Sequence, residues 1–122
     1  MSGFYETYLN LLTEANISIK TFIPIIKDKK KLEITYDSDD PIGRGKRLLE
    51  PYVLGVTKAG NLCFRGYQSL GSTKTYVPEW KIFLLDKILT WKVVGDRTTP
   101  PPLKYNPKGD KSLSQILYQT PN

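Results

Sequence analysis

Residues 29–37 read KKKLEITYD, and here the pattern of the chain changes from a helical period to a period of two. Leu32, Ile34 and Tyr36 alternate with polar residues, which predicts a half-buried β-strand. The residues before this stretch carry helical spacing and those after it carry short strand-like runs. The stretch therefore divides a helical N-terminal part from a β-rich part.

Downstream of this first strand the sequence predicts four more. They cover residues 47–56, 62–68, 80–85 and 89–94, with a hairpin turn at 57–61 and polar loops at 37–45 and 69–79. Pro51 cannot donate a hydrogen bond to a neighbouring strand, so we expect it at a sheet edge or a β-bulge.

Helices are predicted at both ends of the chain. Residues 3–15 place apolar side chains on one helical face, and a second helix is expected to begin near Thr21 or Ile23 and to run to about Lys29. Its late start is inferred from Pro24, which fits best in a first turn. After the proline-rich residues 98–102, the spacing of Leu113, Ile116 and Leu117 predicts a short C-terminal helix.

These elements predict one α+β domain over residues 1–122. A helical segment occupies 1–29, a small five-stranded barrel or strongly bent antiparallel sheet occupies 30–95, and a proline-rich tail occupies 96–122. No stretch is apolar for long enough to span a bilayer, and the start lacks the features of a signal peptide, so we expect a cytoplasmic protein without membrane contact.

Composition favours a binding protein over an enzyme. The chain has no histidine and one cysteine, which disfavours Ser-His and Cys-His catalysis, most zinc or iron sites and a disulfide framework. We therefore expect no catalytic residues, no cofactor and no metal. The net charge of +6 favours a polyanionic partner such as nucleic acid or a nucleotide.

Four pieces of the β-rich part resemble a known family. They are KKKLEITYD (29–37), LEPYVLG (49–55), GNLCFRGYQ (60–68) and WKIFLLDKI (80–88), and their order is similar to that of the WYL domain. That domain is an Sm-like five-stranded barrel of bacterial transcription regulators and phage-defence systems. The resemblance covers about residues 20–94. Because only about thirty residues precede the barrel, it implies a stand-alone copy without the usual DNA-reading helix-turn-helix domain.

The chain departs from the family pattern at particular positions. Leu62, Cys63 and Phe64 replace the tryptophan, tyrosine and leucine that name the family, and lysine replaces arginine at positions 81 and 87. Lysine keeps the charge but loses the bidentate geometry with which arginine grips phosphate.

The resemblance implies a positively charged ligand surface. The residues that we expect to form it are Tyr52, Arg65, Tyr67, Lys81, Lys87 and, beside the glycine-containing loop, Arg47. Arg65 and Tyr67 lie two residues apart on one predicted strand and hence on one face, where a cation and an aromatic ring can bind a phosphate and a base together. Trp80 would be a binding anchor if it is exposed and a core residue if it is buried.

Asp37, Asp39 and Asp40 lack the spacing of a calcium-binding loop and are interpreted as solvated turn residues.

Two hypotheses remain open. The first is a non-enzymatic regulatory module that binds nucleic acid or a nucleotide-like anion. The second is a phage or mobile-element factor that acts against host defence or takes over the host by docking on a protein. A homodimer formed through residues 3–15 would suit either hypothesis, because an amphipathic helix needs an apolar partner.

Overall fold

The computed structural model describes residues 17–73, 79–97 and 111–120. These residues form one helix and a six-stranded antiparallel sheet, which confirms the α+β class. The elements are α1 (Ile19–Lys27), β1 (Lys30–Tyr36), β2 (Gly45–Thr57), β3 (Leu62–Gly71), β4 (Glu79–Leu84), β5 (Ile88–Asp96) and β6 (Leu113–Gln119), with 3-10 turns at Pro41–Gly43 and Leu85–Lys87. The helix predicted at 3–15 and the proline-rich residues 98–102 lie outside the described residues.

Helix α1 begins earlier than Pro24 suggested. The Ser18 hydroxyl accepts a hydrogen bond from the Thr21 backbone N–H at 3.2 Å, so the N-cap is at Ser18 and Pro24 lies inside the helix. An interior proline costs about 3 kcal/mol. Burial of Phe22, Ile25 and Ile26 contributes about 1.5–3 kcal/mol for each side chain, which outweighs that cost.

The five strands predicted from the sequence are all present. In β1, Leu32, Ile34 and Tyr36 are buried and the residues between them are half-buried, as the alternation predicted. β2 and β3 form the expected hairpin, closed by a bond from the Thr57 N–H to the Asn61 carbonyl at 2.8 Å.

The strand order β4-β3-β2-β1-β5 requires a strongly curled sheet. β4 and β5 lie at opposite ends of this order, four inter-strand gaps or about 19 Å apart if the sheet were flat. Only three residues connect them, and a chain from Leu84 to Ile88 reaches about 14 Å at most. The Leu84 N–H, at the end of β4, accordingly donates to the Tyr36 hydroxyl of β1 at 2.9 Å. Within the described residues β4 and β5 do not pair with each other, so the sheet is open.

β2 is paired along one edge by two strands placed end to end. β1 pairs with its first part and β6 with its last, leaving a junction near Pro51. The register of β2 against β3 shifts between Pro51 and Val53, so Pro51 lies at a bulge, as predicted. At the junction the Pro51 carbonyl accepts a bond from Arg97 Nη1 at 3.3 Å, and the Tyr52 carbonyl accepts one from the Thr120 N–H at 3.1 Å.

The prediction of a short C-terminal helix was wrong. Leu113, Ile116 and Leu117 lie in strand β6, which pairs with β2. A short apolar run fits either a helix or a strand by its spacing alone, and pairing with a distant strand decided between them.

The two faces of the sheet pack differently. The inner face carries Leu32, Ile34, Leu49, Phe64 and Phe83, and α1 packs against it through Phe22, whose ring centroid lies 4.7 Å from that of Phe64. The outer face carries a second cluster, formed by Tyr52, Val53, Cys63 and Leu113 with Trp80, Ile82 and Leu84 packed against it. In the part of the chain that the structure describes, no helix is both long enough and apolar enough to cross a membrane.

Candidate functional site

The six residues predicted to form one ligand surface lie in three places. Tyr52, Arg65 and Tyr67 are on the outer face, Arg47 and Lys81 are on the inner face, and Lys87 is in the 3-10 turn between β4 and β5. Alternation along β3 explains part of this division, since Cys63, Arg65 and Tyr67 share one face while Phe64 faces the inner core.

Arg65, Tyr67, Trp80 and Ile82 form one half-exposed surface on the outer face, which we name the Arg65 surface. Tyr67 of β3 lies directly opposite Trp80 of β4, and Arg65 lies opposite Ile82. The ring centroids of Tyr67 and Trp80 are 5.3 Å apart in an edge-to-face arrangement. All four residues are partly accessible, so this face of β3 and β4 exposes two aromatic rings and an arginine side chain.

Tyr52 supports this surface from beneath. Its side chain is fully buried, and its ring centroid lies 5.0 Å from that of Trp80. The Arg97 guanidinium carbon lies 3.8 Å from the centroid of the Tyr52 ring. Tyr52 therefore positions Trp80 rather than presenting its own ring to solvent. The sequence had not indicated Arg97, which follows β5 without any distinguishing pattern.

The Arg65 guanidinium also contacts the start of β6. Its Nη2 donates a hydrogen bond to the Ser112 hydroxyl oxygen at 3.1 Å. Ser112 was not predicted as a site residue, because the residues that follow it were predicted to form a helix and instead form strand β6.

A carboxylate lies next to the Arg65 surface but does not face solvent. Glu50 is the cross-strand neighbour of Tyr67 on β2, and it is 3% exposed. Its burial keeps the carboxylate out of direct contact with a ligand on this surface.

Arg47 has an interior position. It is 6% exposed, its Nη1 donates to Gln68 Oε1 at 3.1 Å and its Nη2 donates to the Gly43 carbonyl. Its guanidinium carbon lies 4.9 Å from the centroid of the Tyr36 ring. Burial lowers the pKa of this guanidinium from its usual range. Arg47 thus ties the Pro41–Gly43 turn to the sheet and lies apart from the Arg65 surface.

Lys81 and Lys87 are both bound to carboxylates. Lys81 Nζ lies 3.1 Å from Glu79 Oε2 and donates to the Thr73 hydroxyl at 2.9 Å, and its side chain is 13% exposed. Lys87 Nζ donates to Asp39 Oδ1 at 2.8 Å. This hydrogen bond raises the pKa of Lys87 and lowers that of Asp39. Neither lysine shares a face with Arg65, so these three cations do not line one groove.

The aspartates of the 37–40 loop contact groups within the chain. Asp40 Oδ1 accepts a bond from the Ile42 N–H at 2.9 Å, and Asp37 Oδ1 lies 3.6 Å from Arg44 Nε. Among the residues that the structure covers, no group of three or more His, Cys, Asp or Glu side chains is placed to hold a metal ion.

Comparison of the chain with protein-family models, with curated proteins and with solved structures found no match.

Proposed function

We propose that this chain is a non-enzymatic regulatory module that binds nucleic acid or a nucleotide-like anion on the Arg65 surface. The observation that carries the proposal is the pairing of Tyr67 with Trp80, 5.3 Å apart and half-exposed, on the same face as Arg65. A guanidinium neutralises a phosphate and aromatic rings stack on bases, so the surface offers both kinds of contact that a nucleotide needs.

The proposal includes a WYL-like fold with an Sm-like barrel. Three features support it beyond the resemblance of the sequence. The first and fifth strands pair with each other, and three residues cross from β4 to β5. The contact between Tyr36 and the Leu84 N–H brings the ends of β1 and β4 together, as expected of a sheet that curls toward closure.

Within this proposal the six predicted residues contribute unequally. Arg65 and Tyr67 contact the ligand, and Tyr52 supports Trp80 from below. Lys81 and Lys87 would have to leave Glu79 and Asp39 before they could bind a phosphate. Arg47 would have to leave Gln68 and Gly43. We expect Arg65 to dominate the electrostatic part of binding, because it lies on the face that carries Tyr67 and Trp80.

Fluorescence anisotropy with labelled single-stranded and duplex oligonucleotides tests the proposal. We expect the wild-type protein to bind, and its affinity to fall as salt rises from about 50 to about 200 mM, because bound phosphates release counterions. Arg65→Ala removes one phosphate contact, so it should weaken binding and reduce the slope of log affinity against log salt by about 1.

Lys92→Ala is the matched control. Lys92 is an exposed cation on β5, opposite Glu33 and away from the Arg65 surface. The Lys92→Ala substitution removes the same charge as Arg65→Ala but at a place away from the Arg65 surface. It should therefore leave binding near the wild-type level. Equal losses in both variants would show that net charge alone attracts the oligonucleotide, and no binding at low salt would contradict the proposal.

A second candidate function is that of a phage or mobile-element factor that docks on a protein partner. The observation that favours it is the row of exposed apolar side chains on β5, where Leu89 is 45% and Val93 is 44% exposed. The scattering of the basic residues over separate places also favours this function. A wild-type protein that binds no oligonucleotide at low salt would direct the search to this strand.

A further inference from the structure

We infer that strand β5 is an interface between two copies of this chain, which associate by antiparallel pairing of their β5 strands about Trp91. The inference goes beyond the proposed function and does not use the Arg65 surface. A second copy is the occupant that three properties of β5 favour: its position at the sheet edge, the symmetry of its residue pattern and its neutral charge.

β5 is an edge strand that is exposed along most of its length. Among the described strands it pairs with β1 alone, and it lies at one end of the strand order. From Leu89 to Asp96 every residue except Trp91 is exposed. The outward N–H and C=O groups of an edge strand can form hydrogen bonds with a further strand, so this edge can accept one.

Apolar side chains accompany this edge on the side of the inner core. Trp91 and Val93 lie opposite Ile34 and Leu32 of β1, and both of these β1 residues are buried in the inner core. Trp91 is half-buried against that core, whereas Val93 is 44% exposed. A strand added beside β5 would therefore cover apolar surface that continues the inner core to the edge of the sheet.

The residue pattern of β5 is symmetric about Trp91. Residues 89–93 read LTWKV, with a polar residue on each side of the tryptophan and an apolar residue beyond it. A two-fold axis at Trp91 places Leu89 of each copy opposite Val93 of the other. The same axis places Thr90 opposite Lys92, which keeps the two lysines apart. An axis at Lys92 would instead set two like charges directly opposite each other, which is destabilising.

Charge also favours β5 as the place where two copies meet. The chain carries a net charge of +6, so two copies repel each other over most of their surfaces. β5 carries one lysine, Lys92, and one aspartate, Asp96, and is therefore neutral. Salt screens the repulsion between the remaining charges, so we expect association to strengthen as salt rises. Oligonucleotide binding is expected to change in the opposite direction.

Sedimentation velocity of the full chain from about 10 μM to about 1 mM tests the inference. We expect the wild-type protein to shift from the monomer mass toward twice that mass as its concentration rises. Leu89→Glu and Val93→Lys each place a charge against an apolar side chain, and the two-fold axis repeats that contact. Each variant should therefore weaken association by about tenfold or more.

The double variant that combines Leu89→Glu with Val93→Lys tests the register. About Trp91, each introduced carboxylate lies opposite an introduced ammonium group of the other copy, so association should recover relative to either single variant. Leu70→Lys is the matched control, because Leu70 is an apolar residue on β3 that is 62% exposed and lies away from β5. It should associate as the wild type does.

A wild-type protein that remains monomeric over the whole concentration range would overturn the inference. Association that persists unchanged in both single variants would also overturn it, because the contact would then lie elsewhere, for example in residues 3–15. A double variant that associates no better than the single variants would contradict pairing about Trp91. Urea unfolding of each variant identifies any loss that reflects instability.

Discussion

Tyr36 joins the two ends of the curled sheet through a single side chain. Its ring packs edge-on against Phe83 with centroids 5.2 Å apart, and its hydroxyl oxygen accepts the bond from the Leu84 N–H. Burial raises the pKa of this hydroxyl above its usual value, although the Leu84 bond and the nearby Lys87 and Arg47 charges act in the opposite direction. The fold therefore favours the neutral form of Tyr36.

The raised pKa predicts how stability changes in alkaline solution. In the unfolded chain Tyr36 loses its proton near pH 10, and in the folded chain it does so at higher pH. Above about pH 10 the unfolded state binds fewer protons, so the free energy of unfolding falls as pH rises. Urea unfolding between about pH 8 and pH 11 should show this fall, and Tyr36→Phe should show a shallower one.

Tyr36→Phe is expected to be less stable at neutral pH, because the Leu84 N–H loses its acceptor. The informative quantity is therefore the slope with pH and not the absolute stability. Both proteins retain the other seven of the eight tyrosines, so their titration is shared. Parallel curves would contradict the assignment of the alkaline loss to Tyr36.

Some features of the candidate-site residues could be predicted from the sequence and others could not. The two-residue spacing of Arg65 and Tyr67 predicted their common face, which the structure confirms. It could not predict that Trp80 lies opposite Tyr67, because strand register depends on contacts distant in sequence. The Asp39 partner of Lys87, 48 residues away in the chain, was hidden because that contact is also distant in sequence.

At the scale of elements, β6 depends on a glycine in β2. A Cβ on Gly55 would stand 2.5 Å from the Gln115 carbonyl oxygen and 2.7 Å from Leu113 Cδ1. Carbon atoms do not approach a backbone oxygen that closely, so β6 can pair in its observed register only beside a residue without a side chain.

Gly55→Ala should therefore loosen β6. We expect the amides of Leu113–Gln119 to exchange with deuterium faster in this variant, while those of β3 and β4 keep more of their protection. Val56→Ala is the control, because it alters the neighbouring residue without adding a Cβ against β6. Unchanged exchange in β6 of Gly55→Ala would show that the strand accommodates the methyl group by a small shift.

Whether a segment is a helix or a strand could be predicted where its sequence pattern is local. It could not be predicted where pairing with a distant strand decides the outcome. Alternation identified β1, and turn residues identified the β2–β3 hairpin. β6 was mistaken for a helix because Leu113, Ile116 and Leu117 suit one helical face, while its pairing with β2 leaves no local sign. Buried residues run almost continuously through the middle of β2, where the Pro51 bulge breaks the alternation, so the side of Tyr52 could not be assigned.

At the scale of the whole molecule, the inner face provides the main core. Phe83 is buried between Phe64, 5.1 Å away by ring centroids, and Tyr36. Ile82, its neighbour in the chain, is half-exposed on the outer face. The two faces of one strand thus offer a direct comparison of what each contributes to stability.

Phe83→Ala should lower the free energy of unfolding by about 3–5 kcal/mol, because it removes a large buried ring and leaves a cavity. Ile82→Ala removes a smaller and partly solvated side chain, so the loss should be smaller. Urea unfolding of both variants at neutral pH provides the comparison. Equal losses would show that the outer cluster contributes as much to the fold as the inner core does.

The burial of Cys63 makes the reactivity of its thiol a measure of local opening. It is the single cysteine in the chain, it is fully buried, and it lies in the outer cluster with Leu113 of β6. A thiol reagent can modify it only during the moments when this cluster opens, so the labelling rate counts those openings. The protein thus reports the motion of its own outer face without an added probe.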